Sequence, residues 1–267
     1  MPDPEPPPLP APAGLLGSVR RALQVLEAVA DFGDGVTAKA VARRLGLNLS
    51  TTYHLLNTLV YEGYLVRLNQ QRGYGLGYKL TTLDRALRSQ LEVCPEVSGL
   101  LREVHELAGV PAYYTVLRDN DIVVAEIADS VAAPRVEPLD VGFHEAAQGT
   151  AFGKVLLAAM SPQRRREYFA GAGMRRATER TLTSLPELEE QLLAVRHTGV
   201  AAEIEEFRPE LACVAAPVRD CAGRISGALA FSVPLAEFGV RRAELTEQAR
   251  AGAARLGHLL ALRATLG

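Results

Sequence analysis

Long apolar runs are missing from this chain. None reaches the roughly 18 residues needed to cross a bilayer, so no membrane-spanning helix is expected. Paired cysteines are missing too. Cys94, Cys213 and Cys221 share no spacing, which argues against a disulfide framework or a zinc module and for a reducing cytoplasm. Pro2-Asp-Pro-Glu-Pro-Pro-Pro8 has neither the basic start nor the apolar stretch of a secretory signal. Residues 1–14 therefore read as a disordered proline-rich tail. Charge of one sign is also scarce, the net being −2. What is present is core material: 48% of the 267 residues are hydrophobic and 22% charged, enough for two modest folded domains or one large one.

The near-zero net charge hides an asymmetry. Residues 18–79 hold eight basic side chains (Arg20, Arg21, Lys39, Arg43, Arg44, Arg67, Arg72, Lys79) against four acidic ones, whereas the rest is acidic overall. A basic module ahead of an acidic remainder fits a nucleic-acid partner for the first part.

That basic module has helical periodicity. Val19, Leu23, Val25, Leu26 and Val29 favour one face of a helix starting at Ser18, a candidate N-cap, and stopped by Gly33 and Gly35. Thr37 is placed to cap a short helix ending at Leu45. Gly46 breaks it, and a third helix follows from Leu49 or Ser50 to Tyr61. Helix, glycine turn, helix is the layout that lays its second helix in the DNA major groove. Leu49, Ser50, Thr51, Tyr53, His54 and Asn57 line the start of that helix. Ser50 has two readings: a phosphate contact at the free backbone N–H groups, or simply the helix cap. Residues 63–67, the tip 69–73 and Tyr74-Gly75-Leu76 form a β-wing, with Arg67 and Arg72 available to phosphate. Arg43 and Arg44 project from the preceding helix.

Ser18-Val-Arg-Arg-Ala-Leu-Gln-Val-Leu-Glu27, Ala42-Arg-Arg-Leu-Gly-Leu47, Ser50-Thr-Thr-Tyr-His-Leu-Leu56 and Glu62-Gly-Tyr-Leu-Val66 resemble the N-terminal domain of IclR-type bacterial regulators. The resemblance continues through nearly all of the chain after the tail. It implies a winged helix-turn-helix over residues 15–78, a linker helix over 79–94 and a GAF/PAS-like effector-binding domain over 95–267. It also implies a double-stranded DNA operator, a small-molecule effector, and a homodimer or dimer of dimers. Asn48-Leu49 stands where relatives often have Pro-Lys, and His54 where they often have Arg, so the operator is expected to differ from theirs.

The C-terminal part reads as α+β. Helices are expected over about residues 81–91, 95–107, 151–160, 184–197 (Ser184-Leu-Pro-Glu187 being a capping box) and 242–262. Strands are expected over about 112–117, 122–128, 200–206, 212–219 and 225–233, giving an antiparallel sheet flanked by helices. His105, alone on its helix, reads as structural.

No catalytic constellation or cofactor site stands out. Gly149-Thr-Ala-Phe-Gly-Lys154 lacks the spacing and the following Ser or Thr of a phosphate loop. Alternation would put Glu203 and Glu205 on one strand face and Glu206 on the other, with no histidine at metal-ligand spacing. Cys213 has no local base and reads as a small buried residue. By resemblance, Gln148, Ala151, Phe152, Glu203, Cys213, Ala230 and Ser232 correspond to the lining of the family's effector cavity. The expected function is a ligand-controlled, DNA-binding transcription regulator. An enzyme with a targeting domain, and a winged helix that binds protein, are the rival readings.

Overall fold

The computed structural model describes residues 14–68, 73–91, 93–143 and 145–264. Two compact units divide the chain, Met1–Leu87 and Arg88–Gly267.

The first unit packs three helices against a two-stranded wing. These are α1 (Gly17–Phe32), α2 (Ala38–Leu45) and α3 (Leu49–Tyr61), then β1 (Leu65–Leu68) and β2 (Gly73–Leu76). Val25, Val41, Leu56 and Leu65 are at most 1% exposed and form the centre of its core. Each such side chain contributes about 1.5–3 kcal/mol by leaving water. Thr37 caps α2 by accepting from the Ala40 N–H at 3.3 Å, and Gly46 ends it in the left-handed region at φ 63°. Gly46 is thus the turn between α2 and α3 that a residue with a Cβ would adopt only under strain.

Gly73 has a different constraint. Tyr74 pairs with Val36, which brings the 33–36 segment against the wing. A Cβ at Gly73 would lie 2.1 Å from the Gly35 carbonyl oxygen, so no side chain can stand there without moving the backbone. The helix α4 (Lys79–Gln90) follows and buries none of its side chains.

In the second unit, a five-stranded antiparallel sheet has the order β4-β3-β7-β6-β5. Its strands are β3 (Ala112–Arg118), β4 (Asp121–Ala128), β5 (Ala201–Ile204), β6 (Leu211–Arg219) and β7 (Ile225–Pro234). Helices α5 (Pro95–Ala108) and α9 (Leu235–Ala264) pack together and against this sheet. Helix α6 (Ala151–Ala159) packs on β3, β5, β6 and β7, with α8 (Leu185–Thr198) behind it. Ala151 through Ala158 are all buried, so α6 is a core helix, apolar on every side except at Lys154.

Four local expectations need correcting. Helix α1 begins at Gly17 with Leu16 at its cap, so Ser18 caps nothing. Ser184 sits at the cap of α8 but its side chain accepts no N–H there, so the capping box is not made. Helix α7 (Pro162–Ala172) was not expected at all. Its cap, Ser161 accepting from Arg164 N–H at 3.2 Å with proline next, is a readable start signal. Its inward face, though, is built on the fully buried Arg165, which breaks the apolar stripe. Finally, β5 ends at Ile204 and Glu205 takes a left-handed φ of 58°, so alternation fails there. Glu203 and Glu206 are the buried pair, and Glu205 turns toward Arg180.

Candidate functional site

Helix α3 is capped by Asn48, whose Oδ1 accepts the Thr51 N–H at 2.7 Å. Ser50 is therefore not the cap, and its hydroxyl is exposed one residue into the helix. Thr52, Leu56 and Leu59 face the core. Leu49, Ser50, Tyr53, His54 and Asn57 form the opposite, exposed face, and Thr51 is half-buried at its edge. No acidic residue lies in the first turn of α3. The positive end of the helix dipole is therefore not offset by a side chain and suits an anion.

Around this face are cations. Arg43 is exposed and pairs with no acid among the described residues. Arg44 is engaged: it binds Asp31 at 2.6 Å and lies over the Phe32 ring. The pair is about half exposed, so solvent screening leaves it weak enough to exchange for a phosphate. Arg67 is exposed on the wing beside the Tyr74 ring. Arg72 and the hairpin tip, like residues 1–13 of the expected tail, lie outside the described residues.

The second cluster is inside the C-terminal unit. Register places Glu203, Cys213 and Ser232 side by side across β5, β6 and β7. Paired residues of an antiparallel sheet share a face, so all three project to the same side. Ala230 lies two residues from Ser232 and shares that face. Ala151 and Phe152, in the first turn of α6, belong to the same buried cluster as Cys213 and Ala230. Gln148 is buried just before them, but its amide donates to the Arg175 carbonyl at 2.8 Å. It thereby ties down the 173–184 loop.

Tyr113, which sequence reasoning missed, reaches this cluster from β3, where it pairs with Ala230. Its hydroxyl accepts the Val136 N–H at 2.9 Å and lies 3.2 Å from Ser232 Oγ. A tyrosine in an apolar strand gives no sign of this, because the β3–β7 pairing joins positions over a hundred residues apart. Lys154 was also missed as an ion-pair partner. Its Nζ reaches Glu206 Oε1 at 2.5 Å and Gln191 Oε1 at 2.6 Å in the interior.

Burial dominates the electrostatics of the row. It pushes the Glu203 carboxyl up to about 7, opposed by the thiol of Cys213 and by the Glu206 and Phe207 N–H groups. It pushes Tyr113 up to about 12. Cys213 is raised well above its usual range, first by burial and then by Glu203, which is the reverse of an activated nucleophile. Among the described residues no group of His, Cys, Asp and Glu could hold a metal. Nor is any helix long and apolar enough to cross a membrane.

Comparison with known proteins agrees with this layout. The profile of the IclR helix-turn-helix domain matches residues 18–68, and that of the bacterial transcriptional regulator IclR C-terminal domain matches residues 86–258. The HTH-type transcriptional regulator KdgR of Escherichia coli K12 is 28% identical over 228 residues, covering 85% of this chain and 86% of KdgR. A crystal structure from Rhodococcus sp. RHA1 superposes with a TM-score of 0.71 at 26% identity, over 95% of this chain and 100% of that one. An IclR homologue of Microbacterium hydrocarbonoxydans, solved with 4-hydroxybenzoate, shares the fold at a TM-score of 0.67 and 22% identity, over 93% and 100% of the two chains. These relatives are named as regulators rather than enzymes where a function is given. The chain belongs to the IclR family of bacterial transcriptional regulators, with a DNA-binding helix-turn-helix ahead of a ligand-binding domain.

Proposed function

We propose that the exposed face of α3 reads operator bases in the major groove while arginines around it hold phosphates. One observation carries this reading: Asn48 takes over the capping, so the face from Leu49 to Asn57 has no structural duty left. Ser50, Thr51, Tyr53, His54 and Asn57 offer donors and acceptors at base-edge reach, and Leu49 an apolar contact. Arg43, Arg44, Arg67 and Arg72 are the phosphate contacts, Arg44 by leaving Asp31. The units of function are residues 15–78 for DNA, 79–94 as linker and 95–267 for the effector, in a cytoplasmic protein.

Replacing both Arg43 and Arg44 with alanine tests the placement. Plots of log affinity against log salt for the gene's own upstream DNA should flatten by about 2 for each bound protomer. An unchanged slope, with both proteins binding equally at every salt concentration, would remove α2 from the interface.

The effector is proposed to sit on the sheet face bearing Glu203, Cys213, Ala230 and Ser232, beside Gln148, Ala151 and Phe152. To regulate, it must bind two arrangements of the protein unequally. The protein acts as a homodimer, or a dimer of dimers, because two half-sites need two helices. Helix α4 offers the surface. Leu80, Leu83 and Leu87 recur at helical spacing on a helix with no buried side chain, and α1 with its cap residue exposes Leu16, Val19 and Leu23. Contiguous exposed apolar stripes of this kind mark interaction surfaces. Leu83→Glu should therefore sediment as a smaller species than wild type and lose operator affinity. Wild-type sedimentation of that variant would place the dimer contact elsewhere.

A further inference from the structure

Behind the sheet lies a separate pocket of about 540 Å³, between α5, the end of β4 and the 129–133 loop. Register pairs Ile127 with Tyr113 and Glu126 with Tyr114, so Glu126 is on the opposite face from Tyr113 and the Ser232 cluster. Helix α5 brings Ser98, Arg102, His105 and Glu106 to this pocket, and β4 with its loop brings Glu126 and Asp129.

Half of these groups are already spent. Glu126 Oε2 accepts from Arg88 at 2.7 Å and from Ser98 Oγ at 2.8 Å, and its Oε1 accepts the Ile127 N–H at 3.2 Å. Asp129 is held by Arg135 at 2.8 Å. Ser130 Oγ accepts the Ala133 N–H at 3.2 Å, which fixes the lip of the pocket.

His105, Arg102 and Glu106 remain. His105 is 6% exposed, and its Nδ1 lies 2.8 Å from the Val110 carbonyl oxygen. A carbonyl only accepts, so Nδ1 carries the hydrogen and Nε2 of the neutral ring is an acceptor. Nε2 makes no hydrogen bond among the described residues. Polar groups buried in folded proteins are nearly always bonded, so this acceptor marks a place for a donor. Arg102 and Glu106 are exposed on the same stripe of α5 and form no ion pair among the described residues. Arginine before glutamate is the less favourable order for a helical pair, and at this spacing the Cβ atoms are only about 5–6 Å apart.

One neutral acceptor, one cation and one anion are thus left facing the same space. We infer that the pocket takes an α-amino acid as its zwitterion. The carboxylate meets Arg102, the ammonium meets Glu106 and His105 Nε2, and the side chain lies among the small walls Ala128, Ala132 and Ala133. The two charges of an α-amino acid are separated by one carbon, which suits a cation and an anion so closely spaced. An amine would leave Arg102 without an anion. An acid would set its carboxylate near Glu106 and Glu126 with no cation of its own to offset them. The site is distinct from the sheet-face cluster, and the inference does not rest on the reading of that cluster.

The test uses the full-length protein. The proteinogenic L-amino acids are added one at a time and the melting temperature followed, since a ligand of the folded state raises it. At least one should stabilise. Its decarboxylated amine and its deaminated acid should each bind at least about tenfold more weakly, having lost a charge-assisted contact. Arg102→Ala should weaken the amino acid by about tenfold without weakening the amine, and Glu106→Ala should do the same without weakening the acid. Both positions are exposed, so the unliganded melting temperature should hold. His105→Asn keeps a donor for the Val110 carbonyl but deletes Nε2, and should also cost about tenfold. Ala230→Leu, on the other face of the sheet, should leave the affinity as in wild type. An amino acid lost in Ala230→Leu but retained in Arg102→Ala binds at the sheet face and overturns the proposal. So does an amine or acid that binds as well as the amino acid. An affinity unchanged by both Arg102→Ala and Glu106→Ala would make the two a solvated pair only, and a melting temperature that no amino acid raises would leave the pocket without its ligand; either overturns the proposal. Should His105→Asn or Ala230→Leu not fold, the two exposed variants decide alone.

Discussion

Lys154→Ala is expected to destabilise the protein by about 3–5 kcal/mol, enough to threaten folding of a marginally stable domain. Lys154 is 1% exposed in the middle of α6, and its ammonium bonds Glu206 and Gln191. Glu206 Oε2 already lacks a partner. Removing the ammonium would leave a buried carboxylate with nothing to offset its desolvation, which is far costlier than losing an exposed pair. Two features distinguish this from simple loss of packing. Lys154→Met, which keeps most of the volume, should be nearly as damaging. The double variant Lys154→Met with Glu206→Leu should recover most of the loss, since neither charge of the pair is then left buried. Urea denaturation of the three variants measures this. A loss below about 1 kcal/mol for Lys154→Ala would put the pair in the class of surface ion pairs and contradict its burial.

The same pair marks the limit of what the sequence could tell. Local signals worked where the chain satisfies its own backbone. Thr37 and Gly46 delimit α2, Pro95 opens α5, and the hairpins β3–β4 and β6–β7 are joined by short turns. The exposed face of α3 was legible for the same reason, since helical spacing alone separates Leu56 from Tyr53 and Asn57. Choosing among adjacent polar residues was harder. Asn48 and Ser50 are both good caps, and only the backbone at Asn48, extended at ψ 151°, decides for it.

Long-range pairings were not legible. Lys154 meets Glu206 across 52 positions and Tyr113 meets Ser232 across 119. Residue type in a strand or helix does not encode such partners. Reading 203–206 as a plain alternating strand failed for a local reason that sequence rarely betrays, the left-handed turn at Glu205. That turn brings the Glu206 N–H back onto Glu203 and makes both acids face inward. The proposed sensor site therefore owes its chemistry to a break in regular structure, whereas the proposed DNA-reading face of α3 owes its chemistry to regularity.

Regularity makes Ser50→Asp the most discriminating change in the N-terminal unit. Its hydroxyl is exposed and Asn48 supplies the cap, so the fold has no use for it. An acid in the first turn interacts favourably with the helix dipole by about 0.3–1 kcal/mol, so the melting temperature should hold or rise slightly. DNA binding should behave in the opposite way. If the N-terminus of α3 meets a phosphate, the new carboxylate stands against it at close range. Two like charges about 4 Å apart near a protein surface repel by roughly 4 kcal/mol. With half of that screened, operator affinity should fall about thirtyfold at each recognition helix of the complex. Ser50→Ala sets the scale for the hydroxyl alone and should cost no more than about tenfold. Gel-shift titration at low salt, beside thermal melting of the same samples, reads both arms. Ser50→Asp binding the upstream DNA as tightly as wild type would mean that α3 does not enter the groove by its N-terminus. The contacts assigned to Leu49, Thr51, Tyr53, His54 and Asn57 would then fail with it, because one helix face carries them all.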